Sequence, residues 1–172
     1  MESKHRIGAA FVKELETKEL SQIKVSDICK AAEINRSTFY SSYEDIYDLA
    51  RSLQNSLEEL TLKECGRTLE DGTVYFDFYK LFQNIYKAPD YYGAYYKVAR
   101  PEHSIFDVDY TKELYKNAFD DDYSEYHAEF FQAGLNRLIK LWIDDGLKMT
   151  PEDMIQIIHN EYQGRIDIYK EF

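Results

Sequence analysis

Turn-forming residues are scarce in this sequence. Its 172 residues include only seven glycines and three prolines, too few for a β-sandwich or barrel, which needs a turn about every 8–12 residues. No apolar run approaches the roughly 20 residues of a membrane-spanning helix, and the charged, amphipathic start MESKHRIGAAFVKEL does not resemble a signal peptide. We therefore expect a helix-rich, soluble, cytoplasmic protein that does not interact with membranes.

Residue types that bind metals or carry out catalysis occur only at scattered positions. The two cysteines, Cys29 and Cys65, lack metal-site spacing and are expected to be free thiols. The four histidines also lack such spacing, and the acidic run at 120–122 is expected to be a solvated loop. The sequence has no glycine-rich phosphate loop and no nucleophilic serine elbow. We predict no enzyme activity, no metal and no cofactor.

Apolar residues recur at helical spacing along nearly the whole chain, which predicts an all-α fold. Helices are expected over residues 4–18, 25–32, 36–42, 44–66, 74–87, 91–99, 109–119, 123–145 and 150–168. Two glycines predict a loop at 66–73, Gly146 is expected to end the long helix before it, and Thr150 is expected to cap the last helix.

The segment INRSTFYSSYEDIYDL, residues 34–49, concentrates hydroxyl groups, aromatic rings and an arginine. Asn35 is a favourable cap for a short helix, and a tight turn at 33–35 between two short helices fits a helix-turn-helix. Hydroxyls can bond DNA phosphates, and arginine can pair with guanine. A polar helix surface without a partner is the alternative. The predicted DNA-binding residues are Lys24, Ser26, Arg36, Ser37, Thr38, Tyr40 and Ser41.

Residues 23–49, IKVSDICKAAEINRSTFYSSYEDIYDL, resemble the DNA-binding region of the TetR family of transcriptional regulators. The segment FQAGLNRLIKLWIDDG and the capped helix that follows it resemble the last two helices of that family. In the family, these two helices form the dimer interface. The positions that match the DNA-binding pattern are Val25, Asp27, Ile28, Ala32, Thr38, Tyr40 and Leu49, with conservative replacements at Ile34, Asn35 and Tyr43.

The resemblance implies a helix-turn-helix DNA-binding domain over residues 1–45 and a helical effector-binding and dimerisation domain over 46–172. It implies a transcriptional regulator, with repression favoured, that binds a palindromic operator in double-stranded DNA as a homodimer. An unknown small-molecule effector in the C-terminal domain would release the DNA. The expected interface residues are Phe131, Leu135, Leu138, Trp142, Met154, Ile158 and Tyr162.

Aromatic residues are dense between residues 74 and 99 and too numerous for one buried stripe. Two interpretations fit this pattern equally well. The rings either pack in the core and at an interface, or they line a ligand pocket, since pockets are mostly apolar with a few polar groups. The candidate ligand-binding residues are Tyr75, Tyr79, Phe82, Tyr86, Tyr92, Tyr95 and Tyr96.

Several positions depart from the family pattern. Where the family pattern has a turn glycine, this chain has Glu33, and a positive φ costs a non-glycine residue roughly 1 kcal/mol. Where the pattern has a capping threonine, this chain has Lys24. Where the pattern has a phosphate-binding lysine, this chain has Ile46. The substitution Ile46→Lys is therefore expected to tighten DNA binding. Residues 1–50 carry a net charge of −2. The alternative function is therefore a co-regulator that acts through a partner protein, with weak or no DNA binding of its own.

Overall fold

The structure is a computed structural model that describes residues 2–72, 74–99, 105 and 122–162, with only the backbone of residue 162. The helix predicted at 109–119 and the end of the last helix beyond 162 lie outside the described residues. Eight α-helices, a short 3₁₀ helix and a two-stranded sheet make up the described part, so the all-α class is confirmed.

The described elements follow one another in this order along the chain. They are α1 (Glu2–Thr17), a 3₁₀ helix (Leu20–Gln22), α2 (Val25–Ala31), α3 (Arg36–Tyr40), α4 (Ile46–Cys65), β1 (Gly66–Thr68), β2 (Val74–Phe76), α5 (Phe78–Lys87), α6 (Pro89–Val98), α7 (Ser124–Asp144) and α8 (Pro151–Tyr162).

The hairpin corrects the predicted loop at 66–73 and the predicted helix over 74–87. β1 and β2 pair antiparallel, with Gly66 opposite Phe76 and Thr68 opposite Val74. β-Branched and aromatic residues favour extended backbone, and Asp77 then caps α5 by accepting a hydrogen bond from the Lys80 amide at 2.8 Å. The helix therefore begins only at Phe78, four residues later than predicted.

The chain forms two compact units. The first contains Met1–Leu57 and Pro89–Arg100, and the second contains Glu58–Ala88 and Pro101–Phe172. The first unit therefore adds α6 to the helix-turn-helix bundle. The predicted division into functional domains at residue 45 stays a prediction.

The core of the first unit is built around the inner face of α1. Ile7, Phe11 and Leu15 recur at the i, i+4 spacing of one helix face and are almost completely buried. They belong to the same apolar cluster as Ile28 of α2 and Phe39 of α3. These contacts fix the short helices α2 and α3, which are too short to be stable alone.

The core of the second unit contains a group of aromatic rings among its aliphatic side chains. The ring of Phe82 on α5 meets Trp142 on α7 edge-on at 5.7 Å, and Phe78 meets Phe131 in the same way at 5.4 Å. The indole nitrogen of Trp142 donates a hydrogen bond to the carbonyl of Met149 at 3.0 Å. Trp142 thereby connects the core to the segment between α7 and α8.

The predicted end of α7 at Gly146 and the predicted Thr150 cap of α8 are confirmed. Gly146 has φ +76° directly after α7, a conformation that glycine adopts without strain. The Thr150 hydroxyl accepts a hydrogen bond from the Asp153 amide at 3.2 Å, and the Asp153 carboxylate accepts one from the Thr150 amide at 2.9 Å. This reciprocal pair satisfies amides that the first turn of α8 would otherwise leave unbonded.

Candidate DNA-binding surface

The turn between α2 and α3 has the backbone conformation that the sequence predicts. Glu33 has φ +54°, and the amide of the next residue, Ile34, donates to the carbonyl of Cys29 at 3.0 Å. This bond closes the end of α2 and directs the chain into α3.

Asn35 is the N-cap of α3, as predicted, and it binds three groups at once. Its side-chain oxygen accepts hydrogen bonds from the Thr38 amide at 2.9 Å, the Thr38 hydroxyl at 2.8 Å and the Ser37 hydroxyl at 2.6 Å. The Ser41 hydroxyl donates to the carbonyl of Thr38 at 2.8 Å. Phosphate oxygens only accept hydrogen bonds, so each of these hydroxyls must give up its internal bond before it can donate to a phosphate.

The other predicted contacts are open to solvent. Lys24, Ser26 and Arg36 are exposed, and Tyr40 is 55% exposed. The Tyr40 ring stands edge-on to the fully buried ring of Phe39 at 5.5 Å, which restricts its orientation. Arg36 and Tyr40 are therefore the members of α3 best placed to reach a partner without breaking internal hydrogen bonds.

The expectation for Ile46 is wrong. Its side chain is only 6% exposed and belongs to the apolar core of the first unit, so it does not face DNA. Acidic groups surround this start of α4: Asp45 accepts from the Asp48 amide at 2.8 Å, and Asp48 accepts from the Glu44 amide at 3.0 Å. The start of α4 thus carries the carboxylates of Glu44, Asp45 and Asp48, which repel phosphate.

Most of the predicted dimer residues are buried within their own chain. Leu138 is partly exposed, and the side chain of Tyr162 lies outside the described residues. The buried members are Phe131, Leu135, Trp142, Met154 and Ile158. These five side chains are part of the core of the second unit.

A second stripe of apolar residues, interrupted by the exposed Arg137, runs along the opposite side of α7. Tyr126 is 75% exposed, Phe130 77% and Leu141 52%, and Gly134 between them is also exposed. In chain order, Tyr126, Phe130, Gly134 and Leu141 lie at i, i+4, i+8 and i+15, so they project from one side of the helix. We call these four residues the α7 outer face. The sequence predicted that α7 is apolar on more than one side, but the predicted dimer residues lie mainly on its inner side.

The predicted ligand-binding residues on the hairpin and α5 take part in packing and pairing. Phe82 is fully buried, and Tyr86, which is half exposed, stacks on Trp142 at 6.2 Å. The Tyr79 hydroxyl donates to the carboxylate of Glu152 on α8, which lowers the pKa of that carboxyl. Tyr75 is partly buried.

The remaining candidates lie on α6 in the first unit. Tyr92 and Tyr95 are buried, and the Tyr95 ring meets that of Tyr96 edge-on at 5.2 Å. Burial of the hydroxyl raises the pKa of Tyr96. The seven candidates are therefore divided between the two units, and their role in ligand binding stays a prediction.

Two polar groups on α4 were missed by the sequence reasoning. The Gln54 amide nitrogen and the Thr61 hydroxyl are buried, and neither has a hydrogen-bond partner among the described residues. A buried polar group without a partner costs roughly 1–3 kcal/mol. Amphipathic spacing alone does not reveal such groups, because it shows only that a position faces inward.

Within the described ranges, no group of three or more histidine, cysteine, aspartate or glutamate residues could hold a metal ion. None of the helices in these ranges contains an apolar stretch that could span a bilayer. Both cysteines are free and buried, and burial raises the pKa of Cys65 to about 12. The Cys65 thiol is therefore protonated at neutral pH and a poor nucleophile.

A comparison with known families identifies the C-terminal part of the chain. Residues 72–163, more than half of the sequence, match the model of a transcriptional regulator C-terminal region of the TetR type. No curated protein matches the chain. Together with the helix-turn-helix geometry of α2 and α3, this match shows that the chain belongs to the TetR family of transcriptional regulators.

Proposed function

We propose that the protein is a transcriptional repressor in the cytoplasm that binds a palindromic operator as a homodimer. The observation that carries this proposal is the geometry of α3. A helix fixed by the Asn35 cap and the buried Phe39 presents Arg36 and Tyr40 to solvent, with free donors for a guanine edge and a phosphate.

The proposed contacts form in two groups. Lys24, Ser26, Arg36 and Tyr40 are exposed and bind DNA directly. Ser37, Thr38 and Ser41 join only when their hydroxyl protons turn from Asn35 and the helix backbone towards phosphate oxygens. We therefore expect modest affinity that depends on shape and hydroxyl contacts as well as on charge.

The test is selection of genomic DNA fragments by the purified protein, followed by fluorescence anisotropy on the selected site. Arg36→Ala should relax base specificity at a cost of about 1–3 kcal/mol, and Tyr40→Phe should weaken all sequences alike. Tyr47→Phe is the matched control, because Tyr47 is equally exposed but is not assigned to the interface. If no fragment is enriched, the DNA-binding proposal fails.

For the dimer, we propose association through α7 and α8, with the α7 outer face at its centre. Exposed aromatic and aliphatic groups at helical spacing favour burial against a second copy. The small residue Gly134 lies within the stripe, where it allows a partner helix to approach closely.

For the effector, we propose a largely apolar or aromatic small molecule in the C-terminal domain, bound in part by the Thr61 hydroxyl. The support is that this buried hydroxyl has no partner in the described part of the chain, and a ligand acceptor would supply one. A thermal-shift screen tests this, because a ligand bound only by the folded state raises Tm. Thr61→Val, which keeps the shape, should lower the shift; an unchanged shift excludes Thr61.

A co-regulator that acts through a partner protein is the second candidate. It is favoured by the carboxylates at the start of α4 and by the internal bonding of the α3 hydroxyls. Fragment selection separates the two functions, since a co-regulator without its own DNA binding enriches no sequence.

A further inference from the structure

Lys97, near the end of α6, reaches the last turn of α1. Its ammonium group donates hydrogen bonds to the backbone carbonyl of Leu15 and, at 3.1 Å, to that of Glu16. α6 and α1 belong to the same compact unit, in which α1 packs against α2 and α2 against α3. A helix far from the helix-turn-helix in sequence therefore binds the end of one of its supporting helices.

The end of α1 lacks a cation of its own. The last carbonyls of a helix have no intrahelical partners and carry partial negative charge. α1 has no basic residue in its last turn, while Glu14 and Glu16 add negative charge there. Lys18, one residue beyond the helix, is paired with the Glu14 carboxylate. Lys97 supplies the positive charge and the donors that the carbonyls of Leu15 and Glu16 require.

Two other residues of α6 pack in the same core. Ala94 is 3% exposed within the apolar cluster that contains the inner residues of α1, α2 and α3, and Val98 packs against that cluster. These apolar contacts are not directional, whereas the two hydrogen bonds of Lys97 are. Lys97 therefore sets how the end of α1 is aligned with α6.

We propose that Lys97 is a positioning residue for DNA binding. It holds the end of α1 and, through the packing of α1 on α2 and of α2 on α3, fixes the orientation of the recognition helix without touching DNA. This inference rests on the proposed DNA-binding function, and it assigns the positioning role to one side chain of α6.

The first test compares operator binding of Lys97→Met and Lys97→Arg over a salt series. The methionine variant keeps most of the side chain but loses the charge, so its affinity should fall about two- to fivefold, and arginine should restore it. The slope of affinity against salt should not change, because Lys97 neutralises no phosphate. A slope lower by about one unit overturns the proposal, since Lys97 would then contact DNA.

A matched control removes charge elsewhere. Lys63→Met changes an exposed lysine in the last turn of α4 and should leave operator affinity unchanged. If this variant loses as much affinity as Lys97→Met, net charge explains the effect and the positioning role is overturned.

The second test needs no DNA. Amide hydrogen exchange in the last turn of α1 should be faster in Lys97→Met than in the wild type and in Lys63→Met. Unchanged exchange overturns the inference, even if the wild type binds its operator. Faster exchange with unaltered operator affinity also overturns it, because α1 would then be held without consequence for DNA. A wild type that selects no DNA overturns the proposed function, and the exchange result still decides whether Lys97 holds α1.

Discussion

The side chain of Ile46 lies in the core of the first unit, so a charge at this position acts on stability before it acts on DNA. We predict that Ile46→Lys lowers the free energy of unfolding by about 1–4 kcal/mol, because burying an ammonium without a partner is costly. Urea unfolding measures this. Tyr47→Lys, at an exposed neighbour, should change stability by less than about 0.5 kcal/mol. If the Ile46→Lys protein is stable and its DNA affinity depends more steeply on salt, residue 46 contacts phosphate as the sequence predicted.

The backbone at Glu33 stores strain that glycine would relieve. Because its φ is +54°, Glu33→Gly should stabilise the protein by about 1 kcal/mol, seen as a higher urea midpoint with an unchanged slope. Glu33→Ala is the control, since alanine must adopt the same positive φ and gains nothing. An equal gain for both variants would show that the charge of Glu33, and not its backbone, is unfavourable.

Residue roles that depend on local sequence were predictable, and those that depend on distant packing were not. The Asn35 cap and the Thr150 cap follow from positions a few residues apart, and the resemblance to the TetR pattern implied the positive φ of Glu33. The burial of Ile46 depends on helices that pack around it. The internal bonds of the α3 hydroxyls were also missed, because a cap residue binds one amide in most helices and here binds two hydroxyls as well.

At the scale of elements, the hairpin shows why a periodic pattern can mislead. The apolar spacing that identifies α5 continues backwards through Val74, Tyr75 and Phe76, although these residue types prefer extended backbone. Asp77 decides the boundary, because its side chain caps the amide of Lys80. A capping residue within an apolar run was the signal that could have located the start of α5.

The start of α8 should respond to acid. Hydrogen bonds from Tyr79 to Glu152, and from the amide and hydroxyl of Thr150 to Asp153, lower the pKa of both carboxyls. A carboxyl whose pKa is lower in the folded state stabilises the fold at pH values above its unfolded-state pKa, which is near 4.5 for Glu152. This contribution is lost as the pH falls through the folded-state pKa. Glu152→Gln should therefore be less stable than the wild type at pH 7, and the difference should disappear in acid.

Thermal unfolding of Glu152→Gln from pH 7 to pH 3 measures this effect. Tyr79→Phe removes the same hydrogen bond from the other side, so the double variant should lose little more than either single variant. Glu161→Gln, at an exposed glutamate near the other end of α8, serves as the charge control. Fully additive losses would mean that Tyr79 and Glu152 do not interact in solution.

At the scale of the whole molecule, the two sides of α7 have different predicted roles. A charge on the α7 outer face should separate the dimer while each chain stays folded, so Phe130→Glu is expected to give a folded monomer. Glu129→Arg, on an exposed polar position beside it, should remain dimeric. Light scattering at micromolar concentration, with circular dichroism, distinguishes these results. A dimeric Phe130→Glu protein would place the interface elsewhere.

The inner side of α7 should behave differently. Leu135 is 3% exposed, so Leu135→Glu is expected to unfold the second unit and not to produce folded monomers. The sequence identified the helix and its excess of apolar residues, but it could not assign each side to the core or to a partner. That assignment depends on which side α5 and α8 cover, and both contain apolar residues able to pack on either.

The first unit is discontinuous, because α6 joins it from a point more than thirty residues beyond Leu57. During synthesis, the helix-turn-helix leaves the ribosome well before the segment that completes its core and holds the end of α1. Contacts between distant parts of a chain form slowly, so the nascent bundle passes through a stage with the Ala94 site open. A fragment cut after residue 57 would stay at that stage permanently, which makes it a poor substitute for the intact protein in DNA-binding assays.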